Sequence, residues 1–170
     1  MAYDVINRVD AFISEVREAK SFVERFILWP RRWQDFTSQY GAVAFSWTRC
    51  RLDLADVGKV PDSPGIYTIL IEPGIAGHPH CSFLAYVGKA EDQTLRERFK
   101  QYLGGEQNPK GRPHIIYLLR EYAPYLVFCC TPVPAGMTED QAEKALQTGF
   151  IPPYCRALPA EVRRIVGAFQ

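Results

Sequence analysis

The 170-residue chain lacks any long hydrophobic run. No stretch approaches the roughly 18 uninterrupted apolar residues of a membrane span, so no membrane partner is expected. An excess of one charge is lacking as well. Lys and Arg total 20 against 19 Asp and Glu, for a formal net charge of +1. Residues 1–60 carry nine basic and eight acidic side chains, and residues 61–170 carry eleven of each. Any contact with nucleic acid must then come from a local patch and not from bulk charge. The opening residues, MAYDVINRVDAF, bring in acids and bases too early for the apolar run of a secretory signal. Five cysteines cannot all pair within one chain, and Cys129 and Cys130 are neighbours, so reduced thiols in a cytoplasmic compartment are expected. Repeats and low-complexity tracts are absent. What is present, 47% hydrophobic and 23% charged residues, suits a globular domain large enough to need no disulfide or metal for its core.

Hydrophobic periodicity predicts one amphipathic helix over the first 29 residues. Val5, Val9, Phe12, Val16, Ala19, Val23 and Phe26 recur in steps of three and four, and Trp29-Pro30 marks its end. That stripe packs either on the chain's own core, the favoured reading, or in a homodimer or partner seam. Glu18 and Glu24 read as a solvated face. Arg31-Arg32-Trp33 could touch phosphate, but a helix start with the Trp turned inward is the simpler reading. Ala42 to Leu54 is open between a strand and an irregular segment.

From Pro61 the texture changes. The turn cluster VPDSPG leads into a strand at Ile66–Ile71, a glycine- and proline-rich loop at 73–81, and a second strand at Phe83–Val87. Helices follow at Thr94–Leu103 and 113–122, then a buried apolar strand at Leu126–Thr131. A capping-box helix begins at Thr138 and a short helix covers 159–169. The expected fold is α+β: about three strands in an antiparallel or mixed sheet flanked by helices, residues 61–170, behind a helical N-terminal extension, residues 1–60.

Several polar groups recur in this order: Tyr67, Tyr86, Lys89, Arg98 and Glu143. Phosphodiester hydrolysis needs a group that handles the proton of water, a cation for the phosphoryl oxygens and, where a divalent metal assists, a carboxylate. Gly65-Ile66-Tyr67, then Tyr86-Val87-Gly88-Lys89-Ala90, then the helix LRERFKQYL of Leu95–Leu103 resemble the GIY-YIG nuclease family. They are most similar to the branch of the nucleotide-excision-repair incision subunit. Glu143 and the later Pro152-Pro153-Tyr154 resemble that family's acidic helix and closing turn.

The resemblance implies a metal-dependent DNA endonuclease. By it, Tyr67 acts as or assists the general base, Tyr86 orients phosphate or water, and Arg98 stabilises the phosphoryl charge. Glu143 holds Mg²⁺ or Mn²⁺, Lys89 depresses the pKa of Tyr67 or contacts phosphate, and Tyr102 occupies the helix position four residues after Arg98. The alternative is a module on the same fold that grips nucleic acid or protein without cutting. Arg96, Lys100, Lys110, Arg112 and His114, interleaved with Tyr102 and Tyr117, make the expected nucleic-acid face. Two departures stand out: a long interval over residues 68–85, and Cys155 where the family's closing turn carries Asn. His78-Pro-His80-Cys81 has no companion ligand pair, so a polar loop and not a zinc site is expected.

Overall fold

In the computed structural model, which describes residues 2–74, 80–105 and 112–169 apart from the side chains of 2–11 and 169, the chain forms ten main elements. They are α1 (Ala2–Ser21), α2 (Pro30–Tyr40), β1 (Thr48–Arg51), β2 (Gly65–Ile71), β3 (Phe83–Ala90), α3 (Leu95–Leu103), α4 (Pro113–Glu121), β4 (Leu126–Pro132), α5 (Glu139–Phe150) and α6 (Ala160–Val166). The fold is α+β, as expected, with one strand more than the expected three. An open antiparallel sheet runs in the order β1-β4-β2-β3. The extra strand is β1, in which only Cys50 is buried between Arg49 and Arg51. Four residues with a single buried side chain are too short for periodicity to reveal; pairing with β4 is what makes them a strand.

β4 lies between β1 and β2, so the apolar run LVFCCT is satisfied on both edges. Side chains on adjacent strand positions point to opposite faces. Tyr67, Ile69, Phe128 and Cys130 share one face, and α3 stands on it: Phe99 and Tyr102 bring their rings to 5.1 and 6.4 Å from Phe128. The opposite face carries Ile66, Val87 and Lys89, and Lys89 meets Asp140 in the first turn of α5. Both site-bearing helices begin with a capping box, Thr94 with Glu97 and Thr138 with Gln141, which satisfies orphan N–H groups at each start. α2 packs on α5 through Phe36, whose ring lies 5.2 Å from Phe150 and against Gly149. Arg31, Arg32 and Trp33 begin α2, and Arg32 stacks over Trp29 and faces Glu161.

The N-terminal helix is shorter than its periodicity predicts. α1 stops at Ser21, and residues 22–29 run on as an irregular strap. Tertiary contacts outweigh the helical pattern there. Tyr117 donates to the Ser21 carbonyl at 2.6 Å, Phe22 packs edge-on to Tyr122, and Phe26 lies against Phe83. Glu24 is no solvated helix residue: it accepts a hydrogen bond from the Tyr154 hydroxyl. Over the side chains described, the α1 stripe does not join the core, since Phe12 is 65% exposed and Ile13 is exposed as well. Among the described residues no helix is long and apolar enough to cross a membrane.

Replacing a capping threonine removes one of these reciprocal bonds. Thr94→Ala is expected to lower stability by about 1 kcal/mol, read as a shift in the urea midpoint at unchanged slope.

Candidate active site

β2 and β3 pair so that Tyr67 lies opposite Gly88 and Ile69 opposite Tyr86. The Tyr67 ring stacks on Phe128 at 5.1 Å with planes 13° apart, and on its other side it overlies Gly88. A Cβ on Gly88 would sit 2.5 Å from Tyr67 Cζ and 2.8 Å from Tyr86 Cε1. Close approach, not backbone conformation, demands glycine here. Tyr102 rises from α3 to complete a cluster of three phenols: its hydroxyl lies 2.7 Å from that of Tyr67, and the Tyr67 and Tyr86 rings are 6.1 Å apart. These tyrosines are 1%, 4% and 8% exposed for Tyr67, Tyr86 and Tyr102.

Burial sets their ionisation. Desolvation, then the neighbouring phenols of Tyr102 and Tyr86, push Tyr67 well above its ordinary value, with Arg98 opposing. Tyr86 is pushed up to about 12 by burial, and Tyr102 is raised for the same reason. All three are neutral O–H groups at pH 7.

Two arginines face the cluster. Arg98, on α3, is half-buried and donates to Gln101 Oε1 at 2.9 Å. Arg112, at the start of α4, donates to the Tyr86 hydroxyl at 2.9 Å and lies 5.4 Å from the centre of that ring. Arg112, expected on the nucleic-acid face, is exposed and also lies against the tyrosines. No local signal could reveal this, because Arg112 and Tyr86 are joined only by the fold.

Lys89 is turned away from the phenols. Gly88 faces Tyr67, so the next residue on the strand points to the other side, and Lys89 is not among the charges that set the Tyr67 pKa. Lys89 pairs instead with Glu91 and, at 3.5 Å, with Asp140. Neither acid carried a sequence signal as a site residue.

Glu143 projects from α5 near Lys89 and Arg112, half-buried, and forms no hydrogen bond or ion pair among the described residues. Burial, the largest cause, raises its pKa. Such a carboxylate suits one divalent cation. Among the described residues no group of three or more His, Cys, Asp or Glu side chains could share an ion. An ion that keeps most of its waters, as Mg²⁺ does, fits this donor set.

The closing turn supports the open edge of β3. Tyr154 N–H donates to Ala85 O at 3.0 Å. Cys155 Sγ accepts from Val87 N–H at 3.3 Å and donates to Val87 O at 3.4 Å, so the thiol spans the peptide groups just before Gly88. Gln147 Nε2 adds a 3.4 Å bond to the same carbonyl. Burial pushes the Cys155 thiol up to about 12, so it is a structural group and not a nucleophile.

The expected binding residues divide. Arg96 is engaged by Asp62 at 2.9 Å and by the Val60 carbonyl, Lys100 is exposed, and His114 is half-buried near Arg112 and Arg156. Lys110 and His78 lie outside the described residues.

No protein-family model matches the sequence, no curated protein matches it, and no solved structure matches the fold. The functional reading therefore stands on these side chains and their geometry.

Two outcomes follow from the packing and the charge. Gly88→Ala is expected to cost about 1–3 kcal/mol, because Tyr67 is held from behind by Phe128 and cannot retreat; thermal melting reads it. For Glu143, a raised folded pKa means the native state binds this proton more tightly than the unfolded chain. The resulting stability is full below the unfolded value of about 4.3 and is lost as pH rises through the folded pKa. Glu143→Gln is thus expected to melt above wild type near pH 7, with the gap closing as the pH falls below about 4.

Proposed function

We propose that the chain is a metal-dependent phosphodiesterase acting on DNA as an endonuclease, with its centre at the β3 edge of the sheet. The observation that carries this reading is convergence. Hydroxyls from β2, β3 and α3 meet two arginines, and an unpaired, half-buried carboxylate on α5 lies within the field of one of them. A structural cluster of tyrosines needs neither cation. The order of the GIY and YVGKA elements and of Arg98 and Glu143 adds the resemblance to GIY-YIG nucleases.

Hydrolysis requires water to attack phosphorus, the bond to the leaving oxygen to break, and charge on the phosphoryl oxygens to be met. Arg98 supplies a permanently charged fork for two of those oxygens. Tyr86 accepts from Arg112, which polarises its own O–H toward the phosphate and makes it a stronger donor. The Tyr67–Tyr102 pair is a ready hydroxyl chain for proton movement. Because both phenols keep their protons at neutral pH, they relay a proton and do not act as preformed phenolates. Glu143 would hold the divalent cation. Mg²⁺ or Mn²⁺ bound there supplies further neutralisation of the phosphodiester charge.

Nicking of supercoiled plasmid with Mg²⁺ or Mn²⁺ tests the proposal. Wild type is expected to nick, and Glu143→Gln to abolish nicking. Arg98→Lys is expected to lose about a hundredfold or more, since a point charge does not replace the fork. Nicking that survives both substitutions would remove the site. Retention of DNA without nicking at any divalent ion concentration would establish the binding module instead.

A further inference from the structure

A second feature adjoins the tyrosine centre. Between the 22–29 strap and the segment from Ile151 to Gly167 lies a cleft of about 780 Å³, inside the range typical of ligand sites. Its charged lining is three arginines, Arg25, Arg156 and Arg163, against one acid, Glu24. Glu24 is already engaged by the Tyr154 hydroxyl. The cleft shares a wall with the active-site edge, because Cys155 both lines it and brackets the Val87 peptide.

Basic groups also lie between the two places. His114 lies within electrostatic range of both Arg156 and Arg112, and Arg112 reaches the Tyr86 hydroxyl. Several cations of the same chain are matched by acids: Arg49 by Glu72, Lys59 by Asp56, Arg96 by Asp62 and Lys144 by Asp140. Arg156 has no hydrogen bond or ion pair among the described residues, and Arg163 donates only to the Leu158 carbonyl, at 2.9 Å. Guanidiniums such as Arg156 and Arg163 that line one cleft without acid partners repel each other, a cost that a bound polyanion removes.

We propose that this cleft carries the phosphodiester backbone of the nucleic acid beyond the bond held at the tyrosine centre, with Arg156 and Arg163 as its phosphate contacts and Arg112 and His114 as the bridge. The identity of the polyanion rests on the phosphodiesterase reading; the charge arrangement does not. The occupant is DNA backbone, read without sequence, since guanidiniums aimed into a cleft from loop and helix recognise phosphate and not base edges.

The test is binding of a fluorescein-labelled 20-base-pair duplex to the full chain in EDTA, where cleavage plays no part, followed across a salt series. Each lost phosphate contact is expected to reduce the logarithmic salt slope by about one and the affinity by about eightfold at 0.1 M salt. Arg156→Gln should show one such step, and Arg156→Gln with Arg163→Gln should show two. Arg164→Gln, on the same helix but outside the cleft lining, should stay within about twofold of wild type. Because Arg163 also holds the Leu158 carbonyl, Arg156→Gln alone decides if the double variant melts early. An Arg156→Gln slope equal to that of Arg164→Gln overturns the proposal. Weakened binding by Arg156→Gln, together with a wild type that never nicks, would leave the cleft standing and remove the hydrolase reading. Nicking with unchanged affinities would do the reverse.

Discussion

Tyr67 is the residue on which the arrangement turns. Its ring is clasped between Phe128 behind and Gly88 in front, so three strands must hold one register for it to fit. A slip of a single residue would send every side chain of the strand to the other face and would set a Cβ where the phenol now lies. Thr48, Cys130, Tyr67 and Gly88 form a row across the sheet, which ties even the short β1 to the same alignment. Once Tyr67 is fixed, the Tyr102 hydroxyl finds it from α3, and Tyr86, two residues along β3 from Gly88, comes alongside.

The edge that bears this cluster is an exposed-strand problem solved by the chain's own C-terminal turn. β3 has no strand beyond it, and its outward Ala85 and Val87 groups are taken up by Tyr154 N–H, Cys155 Sγ and Gln147. The turn is entered through Ile151 at φ 48°, a left-handed conformation that a β-branched residue adopts only when its surroundings hold it there. Ile151 is buried, and Pro152 and Pro153 follow, so packing and the stiff dipeptide supply that hold. Cys155 carries out the bracing at this position with a thiol that both accepts and donates. The strap fastens the same turn from outside, through Glu24 and Tyr154. Residues more than a hundred positions apart thus meet at the edge beside the candidate site.

Charge is distributed with the same economy. Lys89, Asp140, Glu91 and Lys144 neutralise one another around the start of α5. Glu143, one turn further on, is left without such a partner and with its carboxylate partly out of water. A group kept ionised against desolvation lowers stability, and polar sites in clefts are where such costs collect. Among the arginines, Arg32, Arg49 and Arg96 face acids, whereas Arg112 at the tyrosines donates to a phenol and Arg163 in the adjoining cleft to a backbone carbonyl.

The elements with strong local signals were legible without a structure: the β2–β3 hairpin, the capped starts of α3 and α5, the apolar β4, and the order of Tyr67, Tyr86, Arg98 and Glu143 along them. Capping, periodicity and turn chemistry are encoded within a few neighbouring residues, so a linear reading reaches them. Elsewhere only the tertiary structure decides. β1 is a strand because β4 lends it a partner, and α1 stops at Ser21 because Tyr117, Tyr122 and Tyr154 pull the following residues into a strap. Arg112 joins Tyr86 across 26 positions, while Lys89, beside Gly88 in sequence, faces away because strand alternation puts it on the other side of the sheet. Sequence carries what depends on near neighbours and on pattern. Which distant side chains share a face, and which charges stay unmatched, depends on packing of the whole chain, and no local pattern contains it.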